Sequence, residues 1–154
     1  MMFCPLLLHL ALIFAAPLDE NEFMQLGTKL SGFQGHPGAR DKRRFRAWFG
    51  PPTQIVSELW SDLIVGVDGG DPIIPPNERN AAHLLWALHF PKQYPIVEVL
   101  AGAFRITEEM AMNKVWYYVC AIAALVKYKV SSFANGHSTS PSSGQLRCRL
   151  AICS

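Results

Sequence analysis

The residues of this chain that could do chemistry are few and scattered. Arg40, Lys42, Arg43, Arg44 and Arg46 account for five of its fourteen basic residues, and Phe45, Trp48 and Phe49 are interleaved with them. Such a run neutralises phosphates, directs nuclear import, or simply forms a solvated face. Glu58 and Asp62 stand four residues apart, which places them on one face if the segment is helical, but a metal would need a third ligand. Glu108 and Glu109 are adjacent, so on a helix they diverge and cannot work as an acid–base pair. Asp68 and Asp71 lie in a Gly/Pro-rich stretch, well short of the ligand count of an EF-hand loop. His83 and His89 lack acidic or cysteine partners at helical spacing and read as polar-face or core residues rather than ligands.

The four cysteines, Cys4, Cys120, Cys148 and Cys153, form no CxxC or CxxH unit. Neither a zinc site nor a disulfide framework is expected, and free thiols are. The chain contains no GxSxG, HExxH, P-loop or GxGxxG. It is therefore expected to be no enzyme, with no cofactor and no metal. A net charge of +2 points to no particular partner, and 17% charged residues lies below the ~25% of an average globular protein.

The positioning elements follow from punctuation and periodicity. Residues 1–18 are an apolar leader. Its run Phe3–Ala16 is shorter than the ~20 residues that span a bilayer and has the length of a signal-peptide core. No Lys or Arg precedes it, His9 sits at its centre, and the residues before a cut at Ala15 or Ala16 are poorly suited to cleavage. Residues 19–39 are expected to be a flexible linker, polar and glycine-containing.

Residues 40–130 then read as an all-α module, a small helical bundle. Gly50-Pro51-Pro52 stops one segment and starts a helix, on which Ile55, Val56, Leu59 and Leu63 recur at helical spacing with Trp60 at their edge. Gly66 ends it, and residues 68–75 form a turn. A second helix is expected to begin near Pro76-Asn77, to bury Ala81, Leu84, Leu85 and Leu88, and to close at Pro91 and Pro95. A short helix carrying Val97, Leu100 and Ala101 leads into a turn. Thr107 is suited to cap the next helix, with Glu108 and Glu109 at its positive end. Met110, Ala111, Val115, Tyr118, Ile122 and Leu125 form that helix's stripe. This layout is that of a helix-turn-helix unit. Its reading face would offer Met112, Asn113 and Lys114, of which Asn113 and Lys114 suit DNA. A plain helical hairpin has the same pattern. Residues 131–154 are expected to be an irregular tail with one strand-like segment, Leu146 to Cys153.

One set of residues suggests a family. In order, these are Phe45-Arg46-Ala47-Trp48-Phe49-Gly50, Leu59-Trp60, His83-Leu84-Leu85-Trp86-Ala87-Leu88-His89-Phe90, Ala101-Gly102-Ala103-Phe104, Val115-Trp116 and Ala121-Ile122-Ala123. With them, the chain from about Phe45 to Val130 resembles the N-terminal helical region of transposase-derived proteins of the DDE endonuclease superfamily, in the Harbinger-like branch. The resemblance implies a helix-turn-helix-like region ahead of an RNase H-like nuclease domain that binds divalent metal through three acids. No acid follows Glu109, so no catalytic residue carries over, and the expectation is a chain truncated before the nuclease domain. The family places basic and aromatic residues where Met112-Asn113-Lys114 stand, and helix where Pro91 stands.

Three functions follow as expectations. The first is a non-catalytic transposase-derived remnant that binds DNA non-specifically through Arg43, Arg44 and Arg46, with Asn113 and Lys114 contributing, in the nucleus. The second is a small helical protein, secreted if the leader is a signal peptide or membrane-associated if it is a retained anchor. The third is an interaction module without a nucleic-acid role that self-associates through exposed apolar surface at Trp86, Trp116 and the Leu146–Cys153 segment.

Overall fold

A computed structural model describes residues 17–32, 39–93 and 95–134. The apolar leader before Pro17, the residues near Gly38, and the tail beyond Ala134 with its strand-like segment lie outside the described residues, as do Cys4, Cys148 and Cys153. The described part is an all-α bundle. Its elements are α1 (Glu20–Ser31), α2 (Ala39–Phe49), α3 (Thr53–Val65), a 3-10 turn (Pro76–Glu78), α4 (Ala81–Gln93), α5 (Val97–Phe104) and α6 (Glu108–Ala134).

Helix α1 corrects the linker expectation. Asp19 and Glu22 form a capping box: the Glu22 amide donates to Asp19 Oδ1 and the Asp19 amide to Glu22 Oε2, both at 2.8 Å. Phe23, Met24 and Gly27 then bury one face, with Leu26 and Leu30 packed beside them. Gly27 is a crossing point, not a breaker. A Cβ there would come within 2.5 Å of the Phe45 ring, so glycine lets α1 and α2 approach. Glu20 ties the start of α1 to both following helices, accepting from Lys42 Nζ at 2.9 Å and Thr53 Oγ1 at 3.0 Å.

The core is a column of rings. Phe23 on α1 meets Trp60 on α3 edge-on, and Trp60 stacks on Tyr118 of α6, each pair with centroids 6.5 Å apart. All three are fully buried. Trp60, expected at the edge of the α3 stripe, therefore lies at its centre, while Ile55, expected inside, is 47% exposed. Reading the stripe one position off exchanges the two, because the inward arc is set by where α1 and α6 lie as much as by the spacing.

Gly66 ends α3 with φ of +99°, and the following loop folds back so that the Ile73 and Ile74 amides both donate to Leu63 O. Arg79 fastens the loop with Nη2 on Ile64 O at 2.7 Å and Nε on Ile74 O at 3.2 Å. The helix expected to start at Pro76-Asn77 begins later. Pro76–Glu78 makes only a 3-10 turn, and Asn80 caps α4, its Oδ1 accepting from the Ala82 amide at 3.0 Å. At the other end α4 runs through Pro91 to Gln93. A proline this near a helix end removes one ladder bond and is tolerated for the last half-turn.

Two successive bonds join α5 to α6: the Ile106 amide donates to Ala101 O at 3.0 Å and the Arg105 amide to Gly102 O at 3.3 Å. This Schellman pattern needs a left-handed residue, and Arg105, with φ of +56°, supplies it. Thr107 Oγ1 caps α6 by accepting from the Met110 amide at 3.2 Å. Ala111, Val115, Tyr118 and Leu125 are buried along α6 and Ile122 is half-buried, whereas Met110 is 39% exposed. The helix continues to Ala134, so the first residues of the expected tail are helical.

Candidate nucleic-acid interface

Helix α2 divides into two faces. Successive residues turn about 100° around the axis. Phe45 and Phe49 fall on one side and are buried at 3% and 1% exposure, with Trp48 half-buried at their edge. Arg40, Arg43, Arg44 and Arg46 fall on the opposite arc. Arg40, Arg43 and Arg46 are exposed, while Arg44 is half-buried and lies 3.9 Å from Asp41. Lys42 sits at the boundary and pairs with Glu20. The chain thus presents a guanidinium row to solvent on the outside of a helix whose inside is aromatic.

The carboxyl end of α2 is held from α4. His89 Nδ1 lies 3.0 Å from Trp48 O and Gln93 Nε2 donates to Ala47 O at 2.9 Å. Since a carbonyl only accepts, the His89 proton resides on Nδ1. The imidazole also stacks on Trp48, with centroids 5.0 Å apart, and meets the edge of Phe104 at 5.2 Å. Burial lowers its pKa despite that carbonyl bond, which favours the charged form. His89 is a satisfied core residue, as one of its two sequence readings had it. It and Gln93, one turn apart, fix the α2 end that sequence reasoning left unsupported.

His83 is the contrasting case. It is buried at 7% exposure, packs on Trp86 at 4.6 Å and meets Tyr118 edge-on at 5.9 Å. Its Nδ1 and the Nε1 of Trp86 have no hydrogen-bond partner among the described residues. Burial first, then the nearby Lys114 charge, push the His83 pKa down to about 4, with Glu78 opposing. It is neutral at pH 7.

Asn113 and Lys114, the other residues assigned to DNA, lie apart from the α2 row. They are on α6, which packs chiefly on α4, α5 and α3, whereas α2 packs on α1, α4 and α3. Asn113 is exposed. Lys114 is half-buried and committed to a 2.7 Å ion pair with Glu78. One turn further on, the Tyr118 hydroxyl donates to Glu78 O at 2.9 Å and accepts from the Asn80 amide at 2.8 Å. Lys114 and Tyr118 together clasp residues 78–80 against α6. Burial raises the Tyr118 pKa and keeps the clasp neutral. Sequence spacing could not show the Glu78 pairing, since the two residues are 36 positions apart.

Glu58 and Asp62, the acids four residues apart on α3, have ordinary partners. Asp62 pairs with Lys129 of α6, and Glu58 accepts from Gln54 at 3.2 Å. Among the described residues no three His, Cys, Asp or Glu side chains are grouped to hold a metal ion. Cys120 is a half-buried free thiol. No described helix is long and apolar enough to cross a membrane. The chain matches no protein-family model, and comparison with curated proteins and with solved structures likewise gives no match.

Proposed function

We propose that this chain is a transposase-derived, non-catalytic helical module that binds duplex DNA without sequence preference, using the outer face of α2. The observation that carries the reading is the row Arg40, Arg43 and Arg46, exposed on one arc of a helix whose opposite arc is locked into the core. Three guanidinium groups on consecutive turns present fixed, bidentate-capable charge to a phosphate backbone. Arg44 adds to the same arc, moderated by Asp41.

The resemblance to the Harbinger-like helical region supports the reading, and within it α5 and α6 correspond to the helix-turn-helix pair. The start of α6 offers little for base recognition. Glu108 and Glu109 would repel phosphate, and Lys114 is drawn towards Glu78. Binding is therefore electrostatic, with Asn113 in a minor role. The test is binding of the full chain to mixed-sequence duplex at two salt concentrations. Binding at low salt that weakens steeply as salt rises is expected; no binding at low salt, or binding indifferent to salt, excludes the reading.

A further inference from the structure

The end of α4 meets the end of α2 on the side that carries the arginine row. Gly50 follows the last residue of α2, and its amide still donates to Arg46 O at 2.9 Å, so it holds the next place on the spiral. Seven residues at about 100° each return to within about 20° of the same line. Gly50 therefore stands in line with Arg43 and one turn past Arg46, but it offers no side chain. Helix α4 fills that place. A Cβ at Gly50 would stand 3.8 Å from Cδ of Lys92, so the Lys92 stem borders the spot where a side chain at position 50 would begin. Two bonds hold this register. His89 bonds at the half-buried Trp48 and Gln93 at the exposed Ala47, so α4 comes out from under α2 on the arginine side, with Lys92 exposed there.

Charge separates Lys92 from the other lysines. Lys42, Lys114 and Lys129 each sit against a carboxylate, and none of the ion pairs among the described residues involves Lys92. Residues 42–57 and 79–97, the two stretches that meet here, contain no Asp or Glu. His89, beneath them, is held neutral by burial. We infer that Lys92 is a further phosphate-binding residue, continuing the row Arg40, Arg43 and Arg46 across the junction of two helices. The inference rests on the DNA reading proposed above and adds a contact to that site. From Arg40 to Arg46 the row spans about 9 Å of helix, and carried to position 50 it spans about 15 Å. One strand of a duplex places a phosphate every ~3.4 Å of axis, so the extension takes in a further phosphate of the same strand. An ammonium acts there as a point charge, which suits binding without sequence preference.

The test measures binding of the full chain to mixed-sequence duplex between 50 and 200 mM salt. Lys92→Ala is expected to lower the slope of log K against log salt by about 0.9, so that affinity falls about 3.5-fold less over that range. Lys92→Arg should keep the wild-type slope. Lys127→Ala removes the same charge from an exposed position on α6 and should leave the slope unchanged. Circular dichroism should be the same for all. A slope that depends on Arg43 and Arg46 but is indifferent to Lys92→Ala overturns this inference and leaves the α2 reading standing. Equal losses for Lys92→Ala and Lys127→Ala also overturn it, since net charge alone would then account for both. A wild type that does not bind at low salt overturns the α2 reading and this inference with it.

Discussion

Acidification below pH 7 should destabilise this bundle through His83. His83 is buried against Trp86 and Tyr118 with Lys114 nearby, and its pKa falls from 6.5 to about 4. A histidine depressed in the folded state stabilises the fold above the unfolded pKa, and that contribution is lost as pH falls from about 6.5 towards 4. The unfolded chain takes up a proton that the folded chain refuses. Integrating one such site, the loss is about 2 kcal/mol between pH 7 and pH 5 and about 3 kcal/mol by pH 4. His89, depressed by burial in the same direction, adds to it. The His83 loss alone is a sizeable part of a total stability of about 5–15 kcal/mol. Denaturant unfolding at pH 7, 6 and 5 measures the effect, and His83→Gln, which cannot titrate, should flatten most of the slope. Stability unchanged between pH 7 and 5, or a His83 resonance titrating near 6.5 in the folded protein, would refute the burial argument.

Other substitutions test the packing. Phe23→Ala should cost about 3–5 kcal/mol in denaturant unfolding, because a fully buried ring is removed from the Trp60 contact; a cost under about 1 kcal/mol would mean α1 is peripheral to the bundle. Gly27→Ala should destabilise by about 1–3 kcal/mol despite alanine's better helix propensity, since its Cβ would meet the Phe45 ring. Arg105→Gly should raise stability by about 1 kcal/mol by relieving a left-handed non-glycine residue. Tyr118→Phe should cost about 1–3 kcal/mol, as the Asn80 amide and Glu78 carbonyl lose their shared partner.

Much of the architecture was legible before any coordinates. The α3 start at the Pro51-Pro52 pair, its stop at Gly66 and the Thr107 cap all follow from local chemistry. So did the burial of Ala81, Leu84 and Leu85 on α4. Helix α1 was equally readable, through the Asp19–Glu22 capping box and the Phe23, Leu26, Leu30 spacing, but its glycines suggested a linker. A glycine at a close helix crossing and a glycine in a flexible segment look alike until the neighbour, Phe45, is known.

The candidate site was legible in part. The aromatic–basic alternation of α2 is a local pattern and marks its two faces directly. The Glu78–Lys114 pair and the His89 and Gln93 bonds to the end of α2 are long-range, and no local pattern encodes them. Trp86, expected to be available for association, is 5% exposed. Exposed apolar surface instead lies along α6, at Trp116, Val126 and Val130.

The salt dependence of duplex binding by the full chain, compared with that of Arg43→Ala/Arg46→Ala, tests the central claim most directly. Each phosphate contact contributes about 0.9 to the slope of log K against log salt, so losing two arginines should lower the slope by about 2 and weaken binding equally on unrelated sequences. A slope and affinity unchanged by the double substitution would contradict the assignment of α2 as the DNA-binding face.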